Sequence, residues 1–157
     1  MDRLCRDELE TVRAPESKSL RGTSVLVVDD EPGIVEVLCA VLQDAECQVV
    51  GAANGEEALA QLRASLPDLV VLDLEMPVLD GGETLRAIRR DPHLAAVPVI
   101  LMSGLPQATI KRRGSGYDAF LRKPFALEEL LQTIEELLGK DAAKPAPKRA
   151  KTQRKKR

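Results

Sequence analysis

The sequence predicts an α/β protein with a doubly wound, five-stranded parallel sheet and helices on both of its faces. Short apolar runs alternate with longer segments in which apolar residues recur every three or four positions, the pattern of repeated β–α units. The runs are apolar throughout, as expected of strands that helices cover on both sides. Strands are predicted at 24–28, 48–52, 68–72, 97–102 and 119–121.

The predicted helices lie between these strands, and right-handed crossovers place them on both faces of the sheet. Apolar stripes of helical period occupy 34–42, 58–62, 85–88 and 127–138. Gly139 is predicted to cap the last helix at its C-terminus. The fourth helix is expected to be short or poorly ordered, because only residues 107–113 separate Pro106 from a Gly-Ser-Gly sequence.

Composition and charge divide the chain into three parts. We expect a flexible N-terminal extension over residues 1–22, one folded domain over 23–139, and a disordered basic tail over 140–157. The tail holds nine Lys and Arg against one Asp, so removing its charge of +8 from the total of −2 leaves −10 on residues 1–139. No apolar run approaches the roughly 20 residues of a membrane span, and no signal peptide is evident. We therefore expect a cytoplasmic protein.

Polar side chains follow four of the five predicted strands. They are Asp29 and Asp30, Asp73, Ser103, and Lys123. The carboxyl ends of parallel strands share one edge of a sheet, so these groups are expected to lie together there. An acidic pair after a strand is also common at helix N-termini, where it carries no chemistry. The joint occurrence of all four sets in this order favours a site.

The residue types at this edge indicate phosphoryl chemistry. Crowded carboxylates raise one another's pKa unless a cation neutralises them. Oxygen ligands without His or Cys favour Mg²⁺. Asp73 is the candidate nucleophile, forming an acyl phosphate, with Lys123 as a point charge and Ser103 as a hydroxyl donor to the phosphoryl oxygens.

Residues 23–139 resemble the receiver domain of two-component response regulators. The matching segments are VLVVDDEP (25–32), NGEEAL (54–59), PDLVVLDLEMPVLDG (67–81), ILMSG (100–104) and FLRKPF (120–125). The resemblance implies a flavodoxin-like (βα)5 fold with strand order 2-1-3-4-5. It also implies a bacterial phosphoprotein that is not an enzyme beyond assisting its own phosphorylation and dephosphorylation, with Asp73 accepting the phosphoryl group of a histidine kinase or phosphotransfer protein.

The same resemblance implies a ligand set for Mg²⁺. Asp30, Asp73 and the backbone carbonyl of Glu75 would coordinate the ion, with Asp29 acting largely through water. The backbone amides of Glu75 and Gly104 would contact the phosphoryl oxygens. Glu75 also adds an acidic side chain beside the pocket, which we expect to influence the lifetime of the phosphoryl group.

The family's conformational switch maps onto Ser103 and Phe120. Phosphorylation would draw Ser103 toward the phosphoryl group and let Phe120 turn inward, which changes the surface that binds a downstream protein target. The interval of 20 residues between Ser103 and Lys123 is short for the family. It includes part of the helix 4–strand 5–helix 5 face, through which a homodimer could also form.

Two other functions stay open at this stage. One is an Asp-nucleophile phosphatase or phosphotransferase, although the DxD motif and cap insertion of those families are not evident. The other is a phosphorylation-independent scaffold receiver whose basic tail binds an anionic partner. Such a tail could bind nucleic acid or another anionic surface without sequence preference.

Overall fold

The computed structural model describes residues 20–141, which form one five-stranded parallel sheet and five helices. The strand order is β2-β1-β3-β4-β5. The strands are β1 (Ser24–Val28), β2 (Gln48–Ala52), β3 (Leu69–Asp73), β4 (Val99–Ser103) and β5 (Ala119–Arg122). The helices are α1 (Pro32–Asp44), α2 (Gly55–Ala64), α3 (Gly81–Arg90), α4 (Gln107–Arg113) and α5 (Leu127–Asp141). The predicted fold class and strand order are confirmed.

Two apolar layers enclose the sheet, one on each face. One layer joins the sheet to buried residues of α2, α3 and α4: Ala58, Leu59, Leu62, Leu85, Ile88 and Ile110. The other joins it to buried residues of α1 and α5: Leu38, Leu42, Leu130 and Ile134. These residues belong to the helical segments predicted from the sequence, so the period of the apolar pattern places each helix against the sheet.

The central and edge strands differ in burial. Every residue of β3 and β4 is buried, because helices cover both faces there. The expectation that all five strands would be covered is wrong for β2, since Gln48 is exposed and 48% of Val50 is accessible to solvent. An edge strand has only one neighbour, and the helices beside it do not extend over its outer residues.

Packed or helical residues extend slightly beyond the predicted domain bounds at both ends. Leu20 is completely buried in the layer shared with α1 and α5, and the Gly22 amide donates to the carbonyl of Glu46 at 2.9 Å. The packed chain thus begins by Leu20 rather than at residue 23. The prediction of Gly139 as a C-cap is wrong, because α5 continues to Asp141. The rest of the predicted extension and basic tail lie outside the described residues.

The fourth helix is short, as predicted, and its last turn lies against the beginning of α3. A Cβ atom on Gly82 would overlap the carbonyl of Arg113, so the two backbones approach as closely as glycine allows. Arg113 Nη2 donates to Asp80 Oδ2 at 2.9 Å. These contacts anchor the end of α4 to the loop that precedes α3.

Asp80 also caps α3. Its Oδ1 accepts the Glu83 amide at 2.8 Å, while Glu83 Oε2 accepts the Asp80 amide at 3.2 Å, which completes a capping box. Partial burial alone raises the pKa of the Asp80 carboxyl. The hydrogen bonds from Glu83 and Arg113 outweigh that effect, so the pKa lies below its usual value.

Asp80→Ala is expected to lower the free energy of unfolding by about 1–2 kcal/mol at neutral pH, because it removes the cap of α3. Asp80→Asn keeps a cap oxygen and removes only the charge, so its loss should be smaller. Because ionised Asp80 is stabilised in the folded state, the difference between wild type and Asp80→Asn should shrink as the pH falls through the folded-state pKa. Urea denaturation at several pH values measures both effects, and equal stability of all three proteins would contradict the assignment.

Candidate functional site

Three strand ends bring Asp29, Asp73 and Lys123 to one edge of the sheet. Asp29 follows β1, Asp73 is the last residue of β3, and Lys123 follows β5. Val28 pairs with Leu72 in the register of β1 and β3, so the next residues along these strands, Asp29 and Asp73, lie side by side. Chain order and parallel pairing alone therefore produce the cluster that the sequence predicts.

Lys123 bridges the two carboxylates. Its Nζ lies 2.9 Å from Asp29 Oδ2 and 3.3 Å from Asp73 Oδ1. The side chains of Asp29 and Asp73 are 0% and 3% exposed, whereas that of Lys123 is 23% exposed. The ammonium group thus lies between two buried acids and retains some access to solvent.

Backbone amides support both carboxylates from the neighbouring loops. The Glu31 amide donates to Asp29 Oδ1 at 2.9 Å, and the Glu75 amide donates to Asp73 Oδ1 at 3.4 Å. The sequence predicts a role for the Glu75 amide but not for that of Glu31. The signal for the latter is local, because an Asp side chain often accepts a hydrogen bond from the amide two residues later.

Burial destabilises the ionised form of the Asp73 carboxyl. The pKa of Asp73 is raised to about 6, mainly because the carboxyl is buried; Lys123 acts to lower this pKa, and the nearby Asp29 acts to raise it. Burial also acts to lower the pKa of Lys123, but the hydrogen bond to Asp29 and the charge of Asp73 outweigh it and raise that pKa. One ammonium group thus offsets only part of the negative charge of the carboxylates in this cluster.

Asp30 extends the cluster toward solvent. Asp29, Asp30 and Asp73 each present one carboxylate oxygen, and the three oxygens lie within 4.8 Å of one another. Asp30 is exposed, so this side of the cluster is open to solvent. A set of carboxylate oxygens without His or Cys suits a hard divalent cation that keeps several of its waters, of which Mg²⁺ is the type.

Ser103 and Gly104 lie beside Lys123. The Lys123 amide donates to the Ser103 carbonyl at 3.0 Å, and Gly104 lies against the backbone of Lys123. The Ser103 side chain is buried, and its hydroxyl accepts the Leu105 amide at 3.0 Å. Within residues 20–141 that hydroxyl forms no hydrogen bond with Asp73 or Lys123, so the structure places Ser103 near the cluster without joining it to the carboxylates.

Phe120 lies on the same face of the sheet as Ser103. It pairs with Leu101 in the register of β4 and β5 and packs, half-buried, against the layer shared with α2, α3 and α4. Residues two apart on a strand share a face, so Ser103 has the same orientation as Leu101. The ring centroids of Phe120 and Tyr117 are 6.1 Å apart. The Arg122 guanidinium carbon lies 5.8 Å from the centroid of the Phe120 ring.

Gly81 is a positioning residue that the sequence analysis does not single out. A Cβ atom at this position would overlap the carbonyl oxygen of Asp73 and the backbone of Leu74, and the Gly81 amide donates to the Leu74 carbonyl at 3.0 Å. In the same loop Val78 has a left-handed φ of 70°, which costs about 1–2 kcal/mol for an L-residue. The loop after β3 therefore folds tightly back onto Asp73. The Asp-Gly pair at 80–81 is the only sequence signal of this contact.

Gly81→Ala is expected to destabilise the protein by about 1–3 kcal/mol, because the added methyl group overlaps backbone atoms that have little freedom to move. Gly139→Ala is the matched control, since nothing lies within 4 Å of the added Cβ and alanine favours a helix. Urea denaturation reports stability, and amide chemical shifts report the environment of Asp73. Wild-type stability and unchanged shifts in Gly81→Ala would refute the role given to this contact.

The parallel sheet has the strand order 2-1-3-4-5, and acidic side chains and one lysine lie together at its carboxyl edge. This arrangement is typical of receiver domains in signalling proteins. The response regulator receiver domain model matches residues 25–135. The chain belongs to this family, whose members are signalling regulators of two-component systems.

Relatives and solved structures agree with this assignment. Protein PilH of Pseudomonas aeruginosa is 37% identical over 117 residues, which cover 73% of this chain and 97% of PilH. Response regulator Rre1 of Synechocystis is 39% identical over 123 residues, which cover 76% of this chain but only 53% of Rre1. The chain thus matches about half the length of Rre1 and, similarly, 48% of the Synechocystis regulator RpaA.

Two solved structures resemble the fold over nearly their whole length. Chemotaxis response regulator CheY4 of Vibrio cholerae is 33% identical, with a TM-score of 0.69, and the match covers 74% of this chain and 98% of CheY4. The receiver domain of the P. aeruginosa sensor histidine kinase PA1611 is 28% identical, with a TM-score of 0.71 over 75% of this chain and 98% of that domain. That structure holds a magnesium ion in its active-site cleft.

Among residues 20–141 of the present chain, no helix has the length and apolar character to cross a membrane.

Proposed function

We propose that this protein is a phosphorylation-dependent signalling switch in which Asp73 accepts a phosphoryl group from a histidine kinase or phosphotransfer protein. The observation that carries the proposal is the Lys123 ammonium, which lies between Asp29 and Asp73 at the edge where three carboxylates converge. A buried acid beside a fixed cation and an open cation site is the arrangement that phosphoryl transfer to a carboxylate requires.

The transfer moves one phosphoryl group between two side chains. An oxygen of the Asp73 carboxylate attacks phosphorus, the O–P bond forms, the N–P bond of the donor's phosphohistidine breaks, and the imidazole leaves with the bonding electron pair. Lys123 is already 3.3 Å from Asp73 Oδ1 and would pair with a phosphoryl oxygen. The backbone amides of Glu75 and Gly104 would donate to the other phosphoryl oxygens, and the acidic side chain of Glu75 would affect how long the acyl phosphate persists.

The carboxylates of Asp30 and Asp73 and the backbone carbonyl of Glu75 would hold Mg²⁺. Asp29 would act through water, because its two oxygens already accept hydrogen bonds from Lys123 and the Glu31 amide. When bound, the ion neutralises the carboxylates and the charge of the phosphoryl group. The magnesium ion in the PA1611 receiver domain supports this choice of metal.

The conformational response would pass through Ser103 and Phe120. Phosphorylation of Asp73 would supply charged oxygens to which the Ser103 hydroxyl can donate a hydrogen bond. Ser103 would then lose the hydrogen bond that its hydroxyl now accepts from the Leu105 amide. Movement of Ser103 would allow Phe120, on the same face of the sheet, to turn inward. The changed surface of α4, β5 and α5 would then bind a downstream protein target or a second copy of the chain.

Incubation with acetyl phosphate and Mg²⁺ is expected to add one phosphoryl group to the wild-type protein and none to Asp73→Asn, because only Asp73 serves as acceptor. Asp44→Asn is the matched control, since Asp44 is an exposed residue at the end of α1 and its substitution makes the same change of charge. Intact-protein mass spectrometry measures the addition, and EDTA should abolish it.

Labelling of Asp73→Asn, or failure of the wild type to label, would overturn the assignment of the acceptor. Steady turnover of para-nitrophenyl phosphate with Mg²⁺ would indicate the phosphatase alternative instead. A wild type that never labels yet binds partners normally would indicate a phosphorylation-independent scaffold.

Removal of residues 142–157 is expected to leave the rate of labelling unchanged, because every residue of the site belongs to the domain that ends with α5 at Asp141. The same mass measurement tests this with acetyl phosphate as donor. A truncated protein that folds but no longer labels would show that the tail contributes to the site. Binding of the tail to an anionic partner stays a separate prediction.

A further inference from the structure

Positive charge is concentrated on one side of the domain. Of the ten Lys and Arg in residues 20–139, seven belong to α3, α4 and β5. They are Arg86, Arg89, Arg90, Lys111, Arg112, Arg113 and Arg122. Apart from these three elements and the loops joined to them, the same residues carry fourteen Asp and Glu against two Lys and Arg. The domain is therefore strongly dipolar.

Two of the seven cations are committed to the fold. Arg89 donates to three backbone carbonyls and to Asp118 Oδ2 at 2.8 Å, which ties α3 to the loop before β5. Arg113 donates to Asp80 at 2.9 Å. A carboxylate therefore balances the positive charge of each of these two side chains.

The other five cations are exposed and have no carboxylate partner among the described residues; one of them, Arg122, donates to the Leu105 carbonyl at 3.0 Å, and the remaining four lie on α3 and α4. Arg86 and Arg90 project from α3, and Lys111 and Arg112 project from α4; we call these four residues the α3–α4 face. Within residues 20–141 none of them lies within 4 Å of a carboxylate oxygen. Their charges repel one another, so this face gains stability from an anionic partner.

Three contacts join α3 and α4 beneath the α3–α4 face. The end of α4 lies against the beginning of α3 at Gly82, and Arg86 Nη1 donates to the carbonyl of Arg113 at 3.4 Å. With the Asp80–Arg113 pair, these contacts hold the two helices in one arrangement. The cations of α4 thus lie on a helix whose end contacts α3, so their charges and those of α3 act on the same region of the surface.

We propose that the α3–α4 face is a docking surface for a short, carboxylate-rich segment of a partner protein. Arg and Lys pair directly with carboxylates, and Arg does so through two parallel hydrogen bonds. A long nucleic acid would extend beyond the four cations onto a surface dominated by acids, which repels it. A short acidic segment is confined to the cationic area. This interaction does not require phosphorylation of Asp73, so it is independent of the function proposed above.

The test is a titration of the full-length, ¹⁵N-labelled protein with a deca-glutamate peptide at low ionic strength, followed by amide chemical shifts. Shifts are expected at residues 86, 90, 111 and 112, and they should disappear near 0.5 M salt because screening weakens exposed charge pairs. The double variant Lys111→Gln/Arg112→Gln should weaken the affinity measured at these amides by about threefold to tenfold. The control Arg21→Gln/Arg63→Gln removes the same charge from the acidic side and should bind as the wild type does.

Several outcomes would overturn the proposal. Chemical-shift changes confined to residues 140–157 would show that the peptide binds only to the basic tail. An equal loss of affinity in both double variants would show that binding depends on net charge alone. Tighter binding of deca-thymidylate at the same four residues would identify nucleic acid as the occupant. Concentration-dependent sedimentation without peptide, abolished by Lys111→Gln/Arg112→Gln, would identify a second copy of the chain.

Discussion

The ion pairs of Lys123 with Asp29 and Asp73 are the constraint on which the rest of the structure depends. Two buried carboxylates side by side repel each other and lose hydration, so the folded state tolerates them only with a cation close to both. The parallel sheet brings the ends of β1, β3 and β5 to one place, where Lys123 supplies this cation. The three carboxylates at this edge outnumber the one ammonium, and such a set of oxygen ligands suits a divalent cation.

The loop after β3 links this edge to the beginning of α3 and the end of α4. Gly81 lets the chain fold back onto Asp73, and the preceding residue, Asp80, both caps α3 and binds Arg113 at the end of α4. A single loop therefore contacts the proposed acceptor, Asp73, and joins the two helices that carry the α3–α4 face. The proposed phosphoacceptor site and the proposed docking surface share this loop, although they use different side chains and opposite charges.

Much of the fold and most of the site could be predicted from the sequence because both depend on local pattern and chain order. Apolar runs and helical stripes identify the elements, and a polar residue directly after a parallel strand must lie at the common edge. The burial of Leu20, the exposure of Val50 and the contact between Gly82 and Arg113 could not be predicted in this way. Each depends on which segments pack together, and segments distant in sequence leave no local signal of their pairing.

The sequence by itself determined that this is a parallel α/β receiver with Asp29, Asp30, Asp73 and Lys123 at one edge, because side-chain period and strand order are properties of the chain. The tertiary structure alone decided how those groups interact. It placed one ammonium between two acids and joined α4 to α3. Distances, burial and charge neutralisation arise only when separate strands and helices come into contact, since electrostatic energy depends on separation in space rather than along the chain.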